Sequence, residues 1–291
     1  LLSTPVDDAS LRRRRLLLTA FLLALSFGNH MSTVFFVPAL TLVVLWRFGR
    51  TRGFWADAAL AVPVFAAGLL PYLYLPCRAS AAPLLNWGNP DTLERFFWHV
   101  SGKQYSVWMF SSFDAWKEKF GYAMTAFGRD TMYIGALAGV AGLIAVLRYH
   151  RRVGVFLLTL LLTCLVWAAG YDIHDIDSYF LLGFYVLAIG TAVTVTEIVL
   201  RRKRKEAGTF RFAAVIAAVL LLPLLVSWGR ISQNDNYLVE DYTKSMFASF
   251  GKDAIVLSFQ WDYWVSASYY YPVSYTHLRA HETVLDLVCR L

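Results

Sequence analysis

The chain has 291 residues, 58% of them hydrophobic and 16% charged, with a mean hydropathy of +0.50 and a formal net charge of +7. A soluble domain carries about 25% charge, and the apolar residues here also run in blocks of about twenty, long enough to cross a hydrocarbon core of about 30 Å. That excludes an ordinary soluble protein. The positive balance does not point to nucleic acid, because "RRRR" (12–15), "RFGRTR" (47–52), "RYHRR" (148–152) and "RRKRK" (201–205) each adjoin an apolar run, the pattern of cytoplasmic membrane loops.

Taken in order, the candidate spans are 16–28, 31–46, 54–76, 131–147, 153–170, 179–200 and 211–229. The first two are short, about 20 to 24 Å at 1.5 Å per residue. A single helix over 16–46 would reach about 46 Å and would put "RRRR" and "RFGRTR" on opposite faces. A hairpin turning at Asn29–His30 is expected instead, with one broken helix as the alternative. The basic loops then share the cytoplasmic face, and 77–130, 171–178 and 230 onward share the other, with 15 of the 20 Asp and Glu residues. The span interiors are almost free of charge and no internal repeat is visible, which disfavours ion-coupled transport. Three cysteines make neither a disulfide framework nor a C-x-x-C pair.

In the long outer loop 77–130, "NWGNPD" (86–91) supplies turn residues. Asp91 is the expected N-cap of a short helix, with Glu94 at capping-box spacing. Leu93, Phe96, Phe97 and Val100 then form one apolar stripe, which suits either the bilayer interface or packing on the bundle. The next notable stretch is "YDIHDIDS" (171–178), with Asp172, His174, Asp175 and Asp177 between two apolar runs. Three readings fit it: a solvated turn in which Asp175 or Asp177 caps the following span, a site positioning donor or acceptor, and a divalent-metal site. Further on, "KDAIVLSFQWDYW" (252–264) reads as a strand and turn, expected to begin an extracytoplasmic α/β domain. Residues 272–291 look like an adaptor-derived tail and are given no function.

Four stretches together carry a resemblance: "LSFGNHMSTVFFVP" (25–38), "PYLYLPCRASAAPLLNWGNPDTLERFFWHVSGKQY" (71–105), "YDIHDIDSYF" (171–180) and "AIVLSFQWDYW" (254–264). They resemble a family of GT-C-type, protein O-mannosyltransferase-like membrane glycosyltransferases. The fold class expected is an all-α polytopic membrane protein. It would be a GT-C-like bundle of about seven spans over 1–229, followed by the start of an α/β domain over 230–271. The resemblance implies transfer of a sugar, mannose being one candidate, from a polyprenyl-phosphate donor to a protein or glycan acceptor outside the cytoplasm. A bacterial-type inner membrane is the expected setting. The partners are then the lipid bilayer, the lipid-linked donor and the acceptor, and no metal or other cofactor is expected. The family's key acidic residue lies in a first outer loop expected ahead of residue 1, so the general base is expected outside this chain.

Donor-binding candidates are Arg78, whose guanidinium suits a leaving phosphate, with His30, Asn29 and Lys103. Arg78 also fits a snorkelling arginine, and His30 a helix cap. Asn86, Trp87 and Asp91 are candidates for sugar or acceptor contact, or simply for the turn. Catalytic candidates within the chain are Asp172, His174, Asp175 and Asp177. A non-catalytic membrane binder or transporter of lipid-linked saccharide is the competing function.

Overall fold

A computed structural model describes residues 8–83, 86–203, 221–222, 225–229, 231–232, 234–249 and 251. The chain divides into two units, Leu1–Pro223 and Leu224–Leu291. Among the described residues the structure is helical, with no strand beyond an isolated antiparallel bridge between Met109 and Tyr171. The second unit shows helix α10, Leu238–Ala248. The expected strand at 252–264, the tail 272–291 and residues 211–220 of the seventh span lie outside the described residues.

The first unit opens with α1 (Ala9–Phe27), whose N-cap Asp8 accepts the Leu11 N–H. The chain turns at Gly28–His30, passes a 3-10 turn (Met31–Phe35) and returns as α2 (Phe36–Phe48). The hairpin expected at Asn29–His30 is therefore present. Helix α3 (Phe54–Gly68) rises again beside α1 and parallel to it: Arg12 meets Asp57, Ala24 lies against Gly68, and the Tyr72 hydroxyl donates to the Phe27 carbonyl at 2.7 Å. A 3-10 turn at Leu70–Leu73 leads into α4 (Tyr74–Ala79).

After the outer segment come α5 (Leu93–Val100), α6 (Phe113–Asp130), α7 (Ile134–Tyr149), α8 (Arg151–Ala169) and α9 (Leu181–Lys203). Among the described residues four helical segments are long and apolar enough to cross a membrane: Met31–Phe48, Phe54–Ala79, Arg151–Ala169 and Ile176–Arg201. Helices α6 and α7, bent by 104°, make a fifth if counted as one broken span. The described residues thus do not support the expectation of about seven spans. Helix α1 falls short because Arg12 to Arg15 occupy its first half, leaving an apolar stretch of about 18 Å.

Helix α6 lies inside what the sequence suggests is loop. Its repeat of Trp116, Phe120, Ala123 and Phe127 turns one face into the core, where Ala123 and Phe127 are buried. The bend to α7 runs through Met132 and Tyr133, both at positive φ (54° and 58°). The Tyr133 ring fills the space beside Gly128, where a Cβ would sit 2.5 Å from it.

Lipid is as apolar as leucine, so spans gain little from apolar burial alone. They hold together by close packing and interhelical hydrogen bonds. Helices α7 and α9 follow this rule. A Cβ on Gly142 would fall 1.8 Å from the Gly190 carbonyl oxygen, so only glycine permits this approach. Thr191 and Thr194 donate across the contact to the carbonyls of Gly135 (3.0 Å) and Ala138 (2.7 Å). Such bonds average about 0.6 kcal/mol each in membranes.

The two ends of the unit differ in character. At one end Arg12 and Arg13 hold Asp57, and the Arg151 guanidinium lies 5.7 Å from the Trp46 ring. Leu16, Phe48 and Phe54 pack together there, so the 12–15, 47–52 and 148–152 segments lie at this end. At the other end lie the 28–35 turn, the 101–112 segment, α6 and the 170–180 turn, over a core of Phe35, Phe127, Cys164, Ala168, Ile176 and Phe180.

Candidate functional site

The site builds from the 170–180 turn. Helix α8 ends at Ala169, and Gly170 and Tyr171 lead the chain across the bundle end. The turn is fastened to the segment ahead of α6: Phe110 N–H donates to Gly170 O at 2.5 Å and Asp172 N–H to Trp108 O at 2.9 Å, on either side of the Met109–Tyr171 bridge. From α6, the Trp116 indole N–H donates to Val166 O at 3.1 Å.

The three aspartates then part company. The Asp172 carboxylate accepts from Ser111 Oγ at 3.1 Å and pairs with Lys119 Nζ at 3.7 Å. Asp177 accepts from the Tyr122 hydroxyl. Asp175 precedes a 3-10 turn (Ile176–Phe180) but makes no capping bond, and it has no hydrogen bond or ion pair among the described residues. Neither Asp175 nor Asp177 caps the following span in the way the solvated-turn reading had it. The 3-10 turn separates Asp175 from α9, and Asp177, within that turn, directs its carboxylate to α6 instead. His174 and Asp175 are exposed.

Around this turn gathers an aromatic group. The His30 and Tyr179 rings meet edge-on at 5.6 Å, and Tyr179 and Tyr171 at 5.1 Å. Tyr171 is buried, and its hydroxyl is pushed up to about 12, first by that burial and then by the nearby Tyr179, Tyr105 and Asp175. It keeps its proton at any physiological pH. Tyr105, on the 3-10 turn Lys103–Trp108, is exposed, with its ring 6.2 Å from Trp108. His30 Nδ1 accepts the Ser32 N–H at 3.1 Å, so the proton of the neutral ring sits on Nε2.

Most of the other candidates make local contacts of their own. Asn86 donates to the Asn89 side chain at 2.6 Å, in a turn with positive φ at Gly88 (68°) and Asn89 (36°). Trp87 is half-buried in the same turn. The N-cap of α5 is Thr92, not Asp91; Asp91 instead pairs with Arg95 at 3.0 Å, one helical turn along. Leu93 and Phe97 of α5 are 78% and 63% exposed, so its apolar stripe is not packed on the bundle. Lys103 Nζ lies 3.5 Å from the Trp98 ring centre. Arg78, in the last turn of α4, is exposed and makes no ion pair or side-chain hydrogen bond among the described residues. Asn29 forms the turn, its N–H donating to Ser26 O at 3.0 Å. Among the described residues no three His, Cys, Asp or Glu side chains gather at one point.

Sequence reasoning singles out His30 and the aspartates but misses Ser111, Lys119, Tyr122, Tyr105, Tyr171 and Tyr179. The tyrosines bracketing "DIHDIDS" and the 116–120–123–127 repeat of α6 are the signals that would have found most of them.

No family model and no solved structure matches the chain. It is similar to the protein O-mannosyl-transferase TMEM260 of Mus musculus, 23% identical over 263 residues, which takes in 82% of this chain. The chain spans 37% of the length of that relative. The likeness supports a glycosyltransferase-like relationship and agrees with the family resemblance noted in the sequence.

Proposed function

We propose that the protein is a membrane glycosyltransferase that moves a hexose from a polyprenyl-phosphate donor to a protein or glycan acceptor. Likeness to a protein O-mannosyl-transferase over 82% of the chain carries this reading. In the proposed reaction an acceptor hydroxyl oxygen attacks the anomeric carbon. The bond from that carbon to the phosphate oxygen breaks, polyprenyl phosphate departs, and the hydroxyl proton passes to a base. None of the residues described here is given the role of that base. Arg78 neutralises the departing phosphate, in keeping with its exposure and its lack of an internal partner. The end carrying the 170–180 turn faces away from the cytoplasm, by analogy a bacterial-type inner membrane, because the arginine-rich segments gather at the opposite end. Divalent metal has no part in the proposed chemistry.

The test uses the full-length protein in lipid nanodiscs, given radiolabelled polyprenyl-phosphate mannose and an acceptor protein extract. Label is expected to move to protein, and Arg78→Ala is expected to slow transfer about tenfold to a hundredfold at limiting donor, with normal yield. That range corresponds to a charge-assisted contact of roughly 1.5 to 3 kcal/mol. Donor binding without transfer of mannose or any other hexose would favour the binder or transporter. Sidedness is read from Ser178→Cys in a background without native cysteines. An impermeant thiol reagent should label it on intact cells, and labelling only after lysis would overturn the orientation.

A further inference from the structure

We infer that His30, Tyr105, Asp175 and Tyr179 form a hexose-binding subsite at the end of the bundle that carries the 170–180 turn. The inference rests on the glycosyltransferase reading and names the side chains that meet the sugar ring. Three separate segments bring these residues together. The 28–35 turn places the His30 ring 5.6 Å from Tyr179, and Tyr179 stands 5.1 Å from the buried Tyr171. The 103–108 turn, which carries Tyr105, is bonded to the same place through Trp108 O and the Asp172 N–H at 2.9 Å. Tyr105 and Asp175 both contribute to raising the Tyr171 hydroxyl, in keeping with their place beside it.

Chemistry then separates the aspartates. Asp172 is taken by Lys119 and Ser111, and Asp177 by Tyr122, so both fasten α6 to the turn. Asp175 is exposed and has no such bond among the described residues. A carboxylate accepts hydrogen bonds from sugar hydroxyls, and aromatic rings pack on the C–H face of a pyranose. With Nδ1 occupied by Ser32, His30 offers its Nε2–H to a sugar oxygen. A phosphate would meet repulsion from Asp175, so this place suits the neutral ring and leaves the phosphate to Arg78. Tyr171, buried and protonated, supports the group from beneath.

The experiment titrates methyl α-D-mannoside and methyl α-D-glucoside against the full-length protein in nanodiscs, followed by saturation-transfer NMR. Saturable binding of at least one glycoside is expected. Asp175→Asn and Tyr105→Ala should each weaken it about tenfold or more, while Tyr105→Phe, which keeps the ring, should restore it to within about threefold. Asp114→Asn, on the exposed start of α6, serves as the unaffected control. If Tyr105→Ala lowers the melting temperature, Tyr105→Leu replaces it, keeping bulk without the ring. No saturable binding by the unaltered protein, or unchanged affinity in both Asp175→Asn and the Tyr105 variant, would overturn the subsite. The transfer assay separates the two readings. Transfer without these binding losses removes the subsite alone, and binding losses without transfer keep the subsite and remove the enzyme.

Discussion

Opposite ends of the same helical unit use carboxylates in opposite ways. At the arginine-rich end Asp57 is 1% exposed and receives three charge-assisted hydrogen bonds, from Arg12 Nε (3.0 Å) and Nη2 (2.9 Å) and from Arg13 Nε (2.7 Å). It sits in the first turn of α3, where the helix dipole also favours a negative charge. Arg12, its side chain 6% exposed, ties α1 to α3 there. At the other end the carboxylates stay near the surface. Two of them hold α6 through partners that are themselves partly exposed, and one is left open. Burial makes the difference. A carboxylate out of solvent must have its charge met by fixed partners, so it becomes a fastener, whereas one at the surface is solvated and can remain available to a ligand.

The largest expected effect tests the buried end. Asp57→Ala would strand Arg12 without its partner, and a loss of about 3 to 5 kcal/mol is expected in reversible unfolding in mixed micelles. Replacing Arg12 by Met and Asp57 by Leu together should cost much less, since the lone buried charge is then gone. Equal cost in the single and double variants would show that the pair is not what fastens α1 to α3, and the contrast between the two ends would fail.

The open end predicts smaller and unequal effects. Asp177→Asn, Tyr122→Phe and Asp172→Asn should each lower stability by about 1 kcal/mol or less, because these carboxylates stay at the surface. Asp175→Asn should leave unfolding unchanged. Uniform destabilisation across all three aspartates would make the turn a single structural unit with no carboxylate to spare. The smallest effect expected is that of a chelator: EDTA should change sugar transfer by less than about twofold, since the turn offers one histidine and its carboxylates diverge. Loss of activity on chelation, restored by added Mg²⁺ or Mn²⁺, would return the turn to the metal reading.

What could be read from the sequence follows from rules that act along the chain. Long apolar runs must be helical in lipid, since every backbone N–H and C=O has to be satisfied within the segment. The helical character and the expected spans 31–46, 54–76, 153–170 and 179–200 were therefore legible. The hairpin at Asn29–His30 was too, because a helix over 16–46 would be too long and would separate two arginine clusters that the folded chain keeps at one end. Local rules failed where neighbouring residues compete for the same task. Thr92 took the cap proposed for Asp91, because Asp91 pairs with Arg95 one turn along. Helix α6 was read as loop since charged residues such as Asp114, Lys117, Glu118 and Lys119 interrupt it and its apolar face shows only as a spaced repeat.

The division of labour among Asp172, Asp175 and Asp177 could not be read from the sequence at all. In one dimension they are three equivalent acids in six residues. Their partners, Ser111 and Lys119 for Asp172 and Tyr122 for Asp177, lie between 53 and 61 positions away. Only folding α6 back at the 104° bend brings them within reach. Hydrogen bonds and ion pairs fall off within a few ångströms, so which carboxylate is bound and which stays open is decided by tertiary contact rather than by residue type.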